Sequence, residues 1–112
     1  MTNPLHSYPR IQVAGCKDEA ELRLLVEAGV DDIGFPVGPG VVTPDLPAEE
    51  AHRLALTLSG SGAVAIVYLN TLKTLGEFHR QFPAFNKYQL HGEISLEEGK
   101  KIRAALPQLY LI

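Results

Sequence analysis

Five short apolar runs alternate with four stretches of helical spacing along the chain, and this alternation constrains the fold more than any other feature. Residues 11–15, 32–37, 63–69, 87–91 and 109–112 read as strands. The run 63–69 is apolar throughout, as expected of a parallel strand covered on both faces. Between the runs, apolar residues recur at helical intervals over 17–28, 48–58, 72–82 and 95–106. Gly29, the Ser59-Gly60-Ser61-Gly62 breaker, Pro83 and Pro107 end these helices. Asp18 or Cys16 opens the first helix. Ser95-Leu96-Glu97-Glu98 reads as a capping box, in which the serine accepts from the third helical N–H and the glutamate reaches back.

The order βαβαβαβαβ means a parallel sheet with right-handed crossovers. Two architectures fit. One is a (βα)4β unit, the N-terminal half of a TIM (β/α)8 barrel; the other is a flavodoxin-like five-stranded doubly wound sheet in the order 2-1-3-4-5. Periodicity does not separate them. A complete barrel typically takes about 250 residues, and 112 are present. Residues 1–9, with two prolines and little pattern, read as an N-terminal arm, and 10–112 as a single half-barrel domain within a longer barrel.

Composition narrows the function classes. A net charge of −3 supplies no basic field for nucleic acid. No apolar run approaches the roughly 20 residues of a membrane span. The start has no basic patch followed by an apolar stretch, and Cys16 is the only cysteine, so a cytoplasmic setting is expected. His6, His52, His79 and His91 lack the carboxylate or thiol spacing of a metal site. Gly34, Gly38 and Gly40, interrupted by Pro36, Pro39 and Pro44, match neither a phosphate loop nor a dinucleotide fingerprint and read as a turn-rich connection.

Gln89-Leu90-His91-Gly92 closes the fourth strand just ahead of a helix. It places a histidine at the strand end where α/β folds bind ligands. Together with Ala28-Gly29-Val30-Asp31-Asp32-Ile33-Gly34-Phe35, the strand end 11–15 and Val67-Tyr68-Leu69-Asn70, it resembles the N-terminal half of the phosphoribosylanthranilate isomerase family, barrel enzymes of tryptophan biosynthesis. The resemblance implies an Amadori rearrangement of an aminoaldose phosphate to an aminoketose, with no cofactor and a small phosphorylated sugar as substrate.

That resemblance also implies His91 and Gln89 as substrate-binding residues. The family's catalytic cysteine position is Ala14, which has no titrating group, and its strand-one lysine position is Gln12. The family's arginine after the second strand has no counterpart in 38–43. Its general acid and phosphate loops fall beyond Ile112. Two readings stand for Cys16: a displaced base, its thiol pKa lowered at a helix N-terminus, or a small packing residue. Two stand for His91, a ligand contact or a strand-end structural group.

The chain alone is therefore expected to be inactive. It is either part of a divergent isomerase or a non-catalytic half-barrel that binds or self-assembles. An open half-barrel would expose a sheet face and two strand edges, so its expected partner is a second copy or a missing C-terminal half.

Overall fold

A computed structural model describes residues 10–41, 46–58, 62–68, 70–92 and 94–111; the expected arm at 1–9 and the breaker at 59–61 lie outside the described residues. Five strands and four helices alternate: β1 (Gln12–Ala14), α1 (Glu19–Glu27), β2 (Asp32–Phe35), α2 (Ala48–Leu56), β3 (Gly62–Val67), α3 (Leu72–Gln81), β4 (Lys87–Leu90), α4 (Leu96–Ala105) and β5 (Tyr110–Leu111). The expected elements are present, their ends trimmed by one or two residues, except that β3 starts one residue early at Gly62.

All pairings are parallel, and the strand order is β1-β2-β3-β4-β5. That sequential order rules out the doubly wound 2-1-3-4-5 alternative. The helices lie on one side. Leu22 of α1, Leu54 of α2, Leu75 of α3 and Ile102 of α4 share one core with Ile33, Phe35, Ala65, Val67 and Tyr88. In register these strand residues stand on one face of the sheet, since successive strand residues point to opposite faces. The alternating residues Gln12, Ala14, Asp32, Gly34, Val64, Ile66, Lys87 and Gln89 form the second face, which no helix covers. Val64 and Ile66 are nevertheless buried, yet they stand outside the helix-side core.

Local chemistry explains the helix starts. Asp18, not Cys16, caps α1 by accepting from the Glu21 N–H at 2.8 Å. Ser95 caps α4 by accepting from the Glu98 N–H, but the expected reciprocal bond is absent: the Glu98 carboxylate accepts from the Leu72 N–H at 2.9 Å and so ties α4 to the first turn of α3. The reciprocal capping box belongs instead to Thr71 and Thr74 at the start of α3. Gly38 allows close packing after β2, since a Cβ there would stand 1.9 Å from Val67 Cγ1. Among the described residues no helix is long and apolar enough to cross a membrane.

Candidate functional site

The uncovered face has two ends of different chemistry. At the strand N-termini, Asp32 opens β2 and Lys87 opens β4, with Gly62 of β3 between them. Lys87 Nζ donates to Asp32 Oδ1 at 2.8 Å, and Arg10 donates to Oδ2 at 3.1 Å. A Cβ on Gly62 would stand 2.3 Å from Asp32 Oδ1, so the lysine reaches its partner over a residue without a side chain. Burial pushes the Asp32 carboxyl up, but the hydrogen bonds and charges of Lys87 and Arg10 outweigh it and hold the group below its usual value. With Gln12 and Tyr110 these residues line a cleft of about 400 Å³. In barrels this end serves stability rather than chemistry.

In the middle of the face, Gln12 Nε2 donates to Gln89 Oε1 at 2.6 Å, from β1 to β4. Gly34 lies beneath, where a Cβ would come within 3.0 Å of both Gln12 Nε2 and Ile66 Cδ1. Gln89 is therefore on the uncovered face, one layer below the strand ends and already holding Gln12.

The strand C-termini form the second end. The His91 N–H donates to the Val67 carbonyl at 2.8 Å, extending the β3–β4 pairing by one residue. This brings the His91 ring beside Tyr68, with centroids 5.1 Å apart. Tyr68 is exposed, and His91 is half-buried. Asn70, just after β3, donates from Nδ2 to the His91 carbonyl and fixes the strand end from below. Its Oδ1 is buried with no hydrogen-bond partner among the described residues. Gly92 turns the chain away at φ +86°, a conformation few residues besides glycine adopt. His91, Tyr68 and Asn70 thus form one polar and aromatic corner at the end where α/β folds bind ligands.

Cys16 does not join that corner. It is 3% exposed and belongs to the helix-side core, and its thiol donates to the Asp18 carbonyl at 3.3 Å. Burial raises its pKa; a backbone hydrogen bond at Asp18 offsets part of this, and the Glu21 and Asp18 charges add to the rise. The lowered value expected from the helix dipole is corrected accordingly: desolvation outweighs the dipole. His52 and His79 are structural. His52 Nε2 accepts from the Ala84 N–H, and His79 Nδ1 donates to the Phe85 carbonyl. Among the described residues no three His, Cys, Asp or Glu side chains are grouped to hold a metal ion. Sequence reasoning missed the Asp32–Lys87 pair and the Tyr68–His91 contact. The polar–apolar alternation within each strand was the available signal for the first pair.

Five parallel strands in sequential order, with every helix on one side, define half of a (β/α)8 barrel. Solved phosphoribosylanthranilate isomerases have this arrangement. The enzyme in complex with reduced 1-(o-carboxyphenylamino)-1-deoxyribulose 5-phosphate superimposes with a TM-score of 0.73 at 23% identity, over 87% of this chain and 50% of that one. The monomers generated from the dimeric enzyme of Thermotoga maritima give 0.71 at 23% identity, over 85% of this chain and 47% of theirs. The Thermus thermophilus enzyme gives 0.69 at 23% identity, over 92% and 50%. The chain spans about half the length of the solved chains it matches, and at this identity the likeness establishes the fold. No protein-family model and no curated protein matches the sequence.

Proposed function

We propose that residues 10–112 act as one half-barrel unit of a larger barrel of the phosphoribosylanthranilate isomerase kind. In this reading the unit holds a phosphorylated aminosugar at its C-terminal mouth, in a cytoplasmic setting. The observation that carries the reading is His91. Its motif ends β4 on the uncovered face, and its ring lies beside Tyr68 at the mouth. His91 would contact the ligand, and Gln89 would form the polar floor below it.

An Amadori rearrangement needs an acid at the ring oxygen and a base at the adjacent carbon, both placed on one substrate. Ala14 offers no base. Cys16 as a displaced base would have to leave the core and give up its bond to Asp18. The chain alone is therefore proposed to bind ligand without turning it over. The second reading, a half-barrel that serves assembly rather than chemistry, is favoured by the exposed apolar residues at its edges.

Calorimetric titration with reduced 1-(o-carboxyphenylamino)-1-deoxyribulose 5-phosphate tests the first reading. Saturable binding that His91→Ala weakens by about tenfold, the loss of one hydrogen bond to a charged ligand, is expected. Equal affinity in the two proteins, or no binding in either, would count against it.

A further inference from the structure

The His91 main chain is held on both sides. Its N–H donates to the Val67 carbonyl at 2.8 Å, continuing the β3–β4 pairing. Its carbonyl accepts from Asn70 Nδ2, a side chain of the segment after β3. Gly92 then turns the chain at φ +86°. With the peptide groups before and after it both bound, His91 has fixed backbone dihedrals, and these decide which side-chain rotamers are open. The ring centroid comes to lie 5.1 Å from that of Tyr68, with the planes at 36°. Tyr68 is fixed in turn, because its N–H donates to the Pro39 carbonyl at 2.8 Å.

Asn70 is a costly residue for a simple staple. It is 7% exposed, and its Oδ1 is buried with no hydrogen-bond partner among the described residues. An amide carries an acceptor beside its donors, and an acceptor buried unpaired costs stability. Most buried polar side-chain atoms are paired, so a residue serving stability alone would pair both ends of its amide. The other tie between the same two segments shows the contrast. There the Leu72 N–H donates to the Glu98 carboxylate at 2.9 Å. That tie joins two helix starts and includes none of His91, Tyr68 and Asn70. We infer that Asn70 is the positioning residue of the mouth: by holding the His91 carbonyl, it sets the imidazole against Tyr68 in the orientation that a ligand meets. The effect on ligand affinity rests on the proposed ligand reading; the orientation of the ring does not.

Nuclear magnetic resonance of the ligand-free chain reads the His91 ring protons, whose shifts carry the effect of the Tyr68 ring. Tyr68→Leu supplies the value without that ring. Asn70→Ala removes the donor, and Asn70→Leu removes it while keeping the space filled; circular dichroism checks that both fold. In each, the His91 shifts are expected to move most of the way to the Tyr68→Leu value. Glu98→Ala, which cuts the other tie, is expected to lower the melting temperature and leave the His91 shifts in place. Affinity for reduced 1-(o-carboxyphenylamino)-1-deoxyribulose 5-phosphate should fall about tenfold in both Asn70 variants, as when one hydrogen bond to a ligand is lost, and stay unchanged in Glu98→Ala. His91 shifts unmoved in both Asn70 variants would overturn the inference. So would equal movement in Glu98→Ala, which marks general loosening, or loss of the fold in both Asn70 variants, which marks a structural role. Moved shifts without a change in affinity, or in a chain that does not bind the ligand, would support the orienting role and count against the ligand reading alone.

Discussion

Gln12 and Gln89 stand 77 positions apart in the chain, on strands separated by two others, and their side-chain amides meet at 2.6 Å. Three strand spacings amount to about 14 Å along a sheet, and side chains stand roughly perpendicular to it. The two amides meet because the sheet curls toward the face without helices. Barrel curvature is thus expressed in a single hydrogen bond, above a glycine that leaves room for it.

That bond should register as coupling between the two positions. Gln12→Ala and Gln89→Ala, alone and together, are expected to give a double-mutant interaction of about 0.5–1 kcal/mol in urea unfolding. Additive losses would mean that the amides do not meet in solution.

The Asp32 carboxylate has a clear sign in pH. Its folded pKa lies below its usual value, despite burial, because Lys87 and Arg10 favour the charged form. Its contribution to stability is fully present above about pH 4, the unfolded value, and is lost as pH falls through the lower folded value. Lys87→Met should cost about 1–2 kcal/mol at neutral pH, less than a fully buried pair because the lysine is partly exposed. It should also flatten the acid limb of the stability profile. Thermal melts from neutral to acidic pH read both effects, and an unchanged acid limb would remove the pair from the account.

The parity of residues shows what could be read from the sequence. Ile33 and Phe35 alternate with Asp32 and Gly34, and Tyr88 alternates with Lys87 and Gln89, so the polar residues were legible as one face. Which of them touch was not legible, because strand order and curl, which are tertiary, bring β1 over β4. The same holds for the choice between barrel and doubly wound sheet, since both bury the same helical stripes. At Ser95 the local pattern named the cap correctly, but Glu98 found a stronger partner in the neighbouring helix. At Cys16 the dipole argument failed because only the folded core reveals how dry the thiol is. His91 was legible as a candidate by motif, and Tyr68 joined it as a neighbour only once β3 and β4 were in register.

Tyr88 carries a buried hydroxyl with no hydrogen-bond partner among the described residues, and burial raises its pKa. Removing an unsatisfied polar atom is neutral or stabilising. Tyr88→Phe is expected to leave stability unchanged or raise it by about 1 kcal/mol, as measured by urea unfolding. A loss above that size would show that the hydroxyl is bonded.

The buried Cys16 thiol should react with an aromatic disulfide reagent far more slowly in the native chain than in urea. Turnover of phosphoribosylanthranilate by the purified chain is expected to be absent, with or without Cys16→Ala. Fast native labelling together with turnover abolished by Cys16→Ala would restore the thiol as a displaced base.

In the proposed reading the His91 end of the uncovered face receives the ligand. Amide chemical-shift mapping during titration with reduced 1-(o-carboxyphenylamino)-1-deoxyribulose 5-phosphate tests it most directly. Saturable shifts clustered at Tyr68, Asn70, Gln89, His91 and Gly92 are expected. Shifts centred on Arg10, Asp32 and Lys87 at the opposite end, or no shifts at all, would contradict it.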